Sequence, residues 1–328
     1  MKVRDLGEKG LLERLQRFCP PEVVGDDAAV LSTQPGRLLV VTTDMLVDGV
    51  HFSDRTTSPE DVGWRAAAAN LSDLAAMGAS PVGITVALGL PGDVYVNWVE
   101  RLYQGMVECL QQYETEIVGG DICRSSTVSL AITAFGQAEP VHIIRRDAAQ
   151  LGDAIVVTGI HGRSRAGLEL LLHPELGQSL GTVERLALLQ AHQRPRPRLD
   201  ALPILWRVAG ERALAGMDSS DGLADAILQL CQASGVGARI DRCQITIPAA
   251  LNSWVSPEQA LEWALYGGED FELVLCLPLE SAQVLVQHLG EGAAIVGTIT
   301  SNPLVQLIDQ TGESPDQVLT LSRGFQHF

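Results

Sequence analysis

Between residues 37 and 138 apolar runs of two different periods alternate, and that alternation restricts the fold more than any other feature of the chain. The stretch RLLVVTTDM (37–45) is β-branched and reads as a strand. SPEDVGWRAAAANLSDLAAMG (58–78) reads as a helix, with Ser58 as N-cap, Pro59 in the first turn, Asp61 three residues past the cap and Gly78 as terminator. PVGITVALGL (81–90) is a second strand and VNWVERLYQGMVECLQQY (96–113) an amphipathic helix. EIVGGDI and TVSLAITAFGQ supply two more strands. The expectation is a mixed α/β domain over residues 1–138 with a four-stranded sheet and helices on one side. Such a sheet leaves a face or edges to be covered, and self-pairing is the economical way to cover them.

A second domain is expected over residues 139–328. It contains a strand in RDAAQLGDAIVVTG, a glycine-punctuated helix start in GIHGRSRAGLELLL, and a proline-broken basic loop, HQRPRPRL. A helix after MDSSDG, a strand at 237–242, a strand in GGEDFELVLCLP and a last strand in AAIVGTIT follow. No repeat at solenoid periods and no low-complexity tract interrupts this order.

The carboxylates are placed unusually. They stand beside glycines or at the ends of apolar runs, in GDDAAV, TTDMLVD, NLSD, GGD, MDSSD and GGED. Aspartate favours turns and caps for local hydrogen-bonding reasons, and Asp221 before GLADAILQLCQ is readable as a helix cap. The set as a whole is harder to explain that way, because acids at the ends of apolar strands are costly to desolvate without a cation. Carboxylate and hydroxyl oxygens together suit Mg²⁺ bridging to phosphates. An EF-hand is excluded: counted from Asp218, position six is Leu223 and position twelve Gln229.

Composition narrows the partners. Of 328 residues, 40 are acidic and 23 basic, a net charge of −17 that repels nucleic acid and anionic membranes. The only lysines are Lys2 and Lys9, so neither a G-x-x-x-x-G-K-[ST] loop nor a kinase-type strand lysine exists. Any handling of phosphate must then run through cations. The six cysteines are scattered without a C-x-x-C pair, which fits a reducing cytosol. No apolar run approaches the ~18 residues of a membrane span, so a soluble, cytoplasmic protein is expected.

Other candidates are weaker one by one. TGIHGRSRAG resembles a loop that wraps an anion at a helix N-terminus. Arg145 and Arg146 are either phosphate contacts or a solvated pair. His51 in DGVHF is either a packed histidine or a site group, and Phe325 in the terminal GFQHF either docks the tail or stacks on a ring.

Taken in order, GDDAAV, TTDMLVDGVHF, NLSDLAAMGA, GGD, RDAAQLGD, SRAGLELL, MDSSDGL, GGEDFEL and the HF terminus resemble the thiamine-monophosphate kinase family across essentially the whole chain. The resemblance implies the two-domain fold of the aminoimidazole-ribonucleotide-synthetase superfamily: an α/β N-terminal domain whose sheet pairs with its copy in a homodimer, and an α+β C-terminal domain. It implies transfer of a phosphoryl group from ATP to thiamine monophosphate with several Mg²⁺ ions, the last step in making the coenzyme. Carried over residue by residue, Asp27, Thr42, Thr43, Asp44, Asp73, Asp121, Asp218 and Asp221 correspond to metal ligands, with Asp44, Asp73, Asp121 and Asp218 central to catalysis. Tyr103, Gly120, Asp121, Arg146 and Ser220 correspond to nucleotide contacts, and His51, Glu269 and Phe325 to the thiamine end. Arg163 stands where the family usually has Asp, and Phe325 where relatives carry Trp or Tyr. Two alternatives share these motifs: a same-fold synthetase or maturation enzyme that activates an amide oxygen, and a non-catalytic nucleotide sensor. The first needs a reactive cysteine near its N-terminus or a terminal one, whereas the first cysteine here is Cys19 and the last residue Phe328.

Overall fold

The computed structural model describes residues 1–21, 28–210 and 212–320. Two compact units form: Met1–Leu74 with Ala79–Pro140, and Ala75–Gly78 with Val141 onward.

In the first unit, helix α1 (Val3–Leu15) precedes strand β1 (Leu38–Val47), helix α2 (Pro59–Ala76), strand β2 (Ser80–Leu90), helix α3 (Val96–Gln111) and strands β3 (Ile117–Arg124) and β4 (Ser129–Ala138). The four strands lie in the order β1-β4-β2-β3, antiparallel except for β2 against β3. The start of α2 is built as its sequence dictates. Ser58 Oγ accepts the Asp61 N–H at 3.2 Å and donates to the Asp61 carboxylate at 2.7 Å. Gly78, at φ +74°, takes the left-handed turn that ends the helix.

Strand alternation sorts the sheet into two faces. Leu130, Ile132 and Ala134 of β4 and Ile84, Val86 and Leu88 of β2 are buried, as are Leu71 and Leu74 of α2 and Leu102 and Met106 of α3. On the opposite face Leu39, Val41 and Met45 are 56%, 53% and 55% exposed. Helices α2 and α3 approach backbone to backbone. A Cβ on Gly63 would lie 1.9 Å from the Leu102 carbonyl oxygen, and one on Gly105 would lie 1.8 Å from that of Glu60.

The second unit holds a seven-stranded mixed sheet. Its strands are β5 (Ala154–Val157), β6 (Ala215–Asp218), β7 (Gly237–Asp241), β8 (Leu273–Leu277), β9 (Ala294–Thr300), β10 (Val305–Ile308) and β11 (Gln317–Val318), ordered β11-β10-β7-β9-β5-β8-β6. Helices α4 (Arg163–Leu172), α5 (Thr182–Gln193), α6 (Leu202–Ala209), α7 (Leu223–Ser234), α8 (Pro257–Tyr266) and α9 (Leu279–Leu289) complete it. AIVV of β5 and LVLCL of β8 are buried along their whole length because helices cover both faces. Val156, Leu273 and Leu275 pack with Leu205 of α6 and Leu285 of α9. Val157, Val274 and Cys276 pack on the other side with Ile227 of α7 and Leu265 of α8.

Two expectations change in detail. HQRPRPRL is not all loop, since α5 runs to Gln193 and a short 3₁₀ turn begins at Arg198. Asp44 does not end its strand either: β1 continues to Val47, paired with β4 throughout. An edge strand tolerates a half-exposed carboxylate in its middle, so the charge does not stop the pairing.

Candidate active site

In the first unit the acids on β1 and α2 meet through their neighbours. Thr42, on the helix-facing side of β1, donates its hydroxyl hydrogen bond to the Asp73 carboxylate. Two residues along, the backbone N–H of Asp44 donates to the side-chain carbonyl of Asn70 at 3.2 Å, and the Asn70 amide donates to the Ala66 carbonyl at 3.0 Å. Asn70 is fully buried. One turn of α2 separates Asn70 from Asp73, so a single helix face fixes both the Asp44 backbone and the Thr42 hydroxyl. This corner offers carboxylate and hydroxyl oxygens, the donor type that hard cations take. Thr43 points the other way: its hydroxyl donates to the Ile132 carbonyl at 2.9 Å and accepts from Thr133 at 3.3 Å. Among the described residues no group of three or more His, Cys, Asp or Glu side chains gathers around one point.

Asp121 sits elsewhere. The row through Asp44 runs to Ile132, Val86 and Gly120, and Asp121 belongs to the next row, with Ala87, Ala131 and Met45. Asp121 is exposed on the open face, on the far edge strand from Asp44. Three strand spacings separate those edges, about 14 Å measured along the sheet. Within one copy of the chain the two aspartates therefore cannot hold one ion between them.

Asp121 and Gly120 instead line a cavity of about 750 Å³ with Tyr103, Leu15, Cys19 and Phe135. Tyr103 is 5% exposed, and burial raises its phenol above the ordinary range. Gly120 has no room for a side chain, since a Cβ would lie 2.2 Å from the Val86 carbonyl oxygen. Apolar side chains, the bare backbone of Gly119 and Gly120 within β3, and one carboxylate make a lining that suits a flat ring with a charged tail. His51 closes a turn after β1, its Nδ1 accepting the Val47 N–H at 3.1 Å. Asp27 and Phe325 lie outside the described residues.

In the second unit Asp218 ends β6 and is 3% exposed, while Asp221 is exposed one residue before Gly222, the N-cap of α7. Between them Ser219 is fully buried. Its N–H and its hydroxyl both donate to the Glu272 carbonyl, at 2.9 and 3.1 Å, and its Oγ lies 3.0 Å from His161 Nε2. Burial holds the His161 imidazole down at about 4. The Glu272 carboxylate accepts from Thr158 at 2.7 Å and from Arg198 at 2.5 Å. The MDSSD loop is thus fastened from below by buried polar groups, leaving Ser220 half-buried and Asp221 exposed above. Arg146 is exposed and donates to Gln229 of α7 at 2.6 Å.

Glu269 has φ +59° and donates its N–H to the Ser220 carbonyl at 2.7 Å, which brings GGED and MDSSD together. Its Oε2 lies 3.6 Å from Nδ1 of the buried His192. The next residue, Asp270, accepts the N–H groups of Gly162 and Ser164. Burial pushes its carboxyl up to about 7 although both N–H groups pull it down. Asn70, His161, His192, Ser219 and Asp270 were not singled out from sequence as site residues. Each lies inside a stretch already quoted (NLSD, TGIHGRSRAG, HQRPRPRL, MDSSD and GGED), and that membership was their only signal.

Known proteins are similar to this chain along its length and in its fold. Residues 25–138 match the family described as AIR synthase related protein, N-terminal domain, and residues 150–310 match AIR synthase related protein, C-terminal domain. A thiamine-monophosphate kinase of Synechococcus elongatus is 51% identical, covering 99% of this chain and 97% of its own. That of Escherichia coli K12 is 36% identical over 93% of this chain and 91% of its own. The solved structure of AaThiL complexed with AMPPCP and TMP superposes with a TM-score of 0.76 at 33% identity, covering 100% of this chain and 99% of the other. At this identity, over essentially its full length, the chain belongs to the thiamine-monophosphate kinase family.

Proposed function

We propose that this protein transfers the γ-phosphoryl group of ATP directly to the phosphate of thiamine monophosphate, giving ADP and thiamine diphosphate. The observation that carries this reading is full-length similarity to thiamine-monophosphate kinases, one of them 51% identical, and to the solved AaThiL complexed with AMPPCP and TMP. The oxygen-donor corner on β1 and α2 supports it independently. Asp44, Asp73 and Thr42 are the residues we assign to holding Mg²⁺ there, and Asp27, Thr43, Asp121, Asp218 and Asp221 are assigned as ligands of further ions, not of that corner. When bound, such ions neutralise the charge that accumulates on the phosphates during transfer.

The chain's own groups do the rest. The Tyr103–Gly120 cavity, which Asp121 also lines, is the part of the first unit we assign to the nucleotide, and Arg146 and Ser220 are the nucleotide contacts we assign in the second. Glu269, with His51 and Phe325, receives the cationic thiamine end. The acceptor is a phosphate monoester with a second pKa of about 6, largely dianionic at neutral pH, so it attacks in line without a general base. Positioning supplies the remaining advantage.

We also propose a homodimer joined through the open face of the four-stranded sheet, where Leu39, Val41 and Met45 are exposed. All six cysteines are free thiols, and no helix among the described residues is long and apolar enough to cross a membrane. Both agree with the cytoplasmic location we propose.

The test is incubation with ATP, Mg²⁺ and thiamine monophosphate, with thiamine diphosphate followed by chromatography. Stoichiometric appearance of thiamine diphosphate with ADP is expected. ATP turnover without it would point to the synthetase-type alternative, and no turnover to a sensor. With γ-labelled ATP and no acceptor the denatured protein should carry no label, and a labelled protein would exclude direct transfer.

A further inference from the structure

The acidic loop at 267–271 is held in a conformation that its own residues do not favour. Glu269 and Phe271 have φ of +59° and +52°, and they are two of only three non-glycine residues with positive φ among those described. Side chains bearing a Cβ rarely adopt this region, and such backbone persists only where the surroundings over-determine it. Asp270, between the two, is where the surroundings act. Its two carboxylate oxygens accept separate backbone N–H groups, Gly162 at 2.6 Å and Ser164 at 2.8 Å. Those donors are the unsatisfied amides that open α4, and their bonds and the helix dipole favour the ionised carboxylate against the burial that pushes it up. The partners lie more than a hundred residues away in sequence, so the bond joins two loops and is no local turn. On one side of Asp270 the Glu269 N–H is tied to Ser220, and on the other the Phe271 ring is buried at 7% exposure. Three fixed points thus bracket a strained segment, and within it the half-exposed Glu269 carboxylate has its Oε2 3.6 Å from Nδ1 of the buried His192.

We propose that Asp270 is a positioning residue for the acceptor end, fastening the acidic loop to the glycine loop before α4 and so fixing where the Glu269 carboxylate points. This rests on the reading of Glu269 as a thiamine contact, and it adds a backbone constraint on that carboxylate beside its side-chain approach to His192. Asp270 touches no substrate in this account. It acts through the loop.

The test is a double-mutant cycle of Asp270→Asn with Glu269→Gln, reading KM for thiamine monophosphate and for ATP separately, with melting temperature as a control. Asn keeps the size of the side chain but turns an amide donor toward one of the two N–H groups. The expected result is that Asp270→Asn raises KM for thiamine monophosphate about tenfold and changes KM for ATP less than twofold. In the Glu269→Gln background the same substitution should change the acceptor KM less than twofold, since the group it positions is already gone. An equal effect of Asp270→Asn in both backgrounds, or no effect in the parent, would overturn the proposal. If Glu269→Gln alone leaves the acceptor KM unchanged, the reading of Glu269 fails, whereas an effect of Glu269→Gln without one of Asp270→Asn retains that reading and rejects the positioning role. Should Asp270→Asn not fold, Asp270→Glu, which keeps the charge and displaces it by one methylene, is read in the same cycle with the same criteria.

Discussion

The side-chain carbonyl of the buried Asn70 accepts the backbone N–H of Asp44 at 3.2 Å, tying the middle of an edge strand to the helix that also carries Asp73. The Asn70 amide is used in turn by the Ala66 carbonyl. Replacing Asn70 with Ala strands the Asp44 N–H against an apolar helix face and should destabilise the fold by about 1–3 kcal/mol. Urea unfolding checks the magnitude, and a change below about 0.5 kcal/mol would show that the N–H finds another partner.

Asp44→Asn separates charge from shape at the same position. The carboxylate is half-exposed and pairs through its backbone, so the fold should survive with a melting temperature close to that of the parent. Turnover should fall by about two to three orders of magnitude, the range for losing one electrostatic partner of the transition state. Calorimetric titration with Mg²⁺ alone should show weakened binding. Parent-like turnover at saturating Mg²⁺ would remove Asp44 from the ligand set.

The crossing of α2 and α3 has no room for a methyl group at Gly63. A Cβ there meets the Leu102 carbonyl oxygen at 1.9 Å, and backbone cannot rotate out of the way as a side chain can. Gly63→Ala should therefore destabilise the first unit by about 3 kcal/mol. Thermal melting checks this. Gly63 carries no left-handed φ, so its loss reports the clash alone, whereas Gly152→Ala, with φ +87° and nothing within 4 Å of a Cβ, would report backbone strain without a clash.

His161 should leave a signature in the acid limb of the stability curve. Its imidazole is held near 4 by burial, below the ordinary 6.5, so folding favours the neutral form. The contribution is complete above pH 6.5 and is lost as pH falls through 4, by up to about 3 kcal/mol. His161→Gln should flatten that part of the curve in denaturant melts at several pH values. An unchanged slope between pH 6.5 and 4 would mean that other groups carry the acid sensitivity.

A charge on the open face should prevent self-association. Val41 is 53% exposed between Leu39 and Thr43 on β1, so Val41→Asp adds a carboxylate to the proposed interface without disturbing the buried face. Light scattering should give a dimer for the parent at micromolar concentration and a monomer for the variant. A monomeric parent would refute the interface.

The sequence alone determined what short-range chemistry decides. Ser58 and Asp61 cap α2 as their spacing requires, and Gly78 ends the helix because a left-handed residue is needed there. SLAITAFGQA alternates inward and outward along β4, and LVLCL is buried throughout β8, because periods of two and continuous apolar runs report burial directly. The motifs also pointed to a family, since their order along the chain survives where individual matches are weak. What they could not determine is which acids meet. Asp44 and Asp121 look equivalent in sequence, each at the end of an apolar run, yet the strand order β1-β4-β2-β3 puts them at opposite edges and the pleat on opposite faces. Asp270 reads as one more acid in GGED, and only the approach of Gly162 and Ser164, more than a hundred residues earlier, makes it a fastening. The left-handed backbone at Glu269 and Phe271 has no sequence signal at all, because it is imposed by contacts on either side and not by the residues' own preferences. Strand order and loop-to-loop bonds depend on contacts distant in sequence, and only the folded chain supplies those.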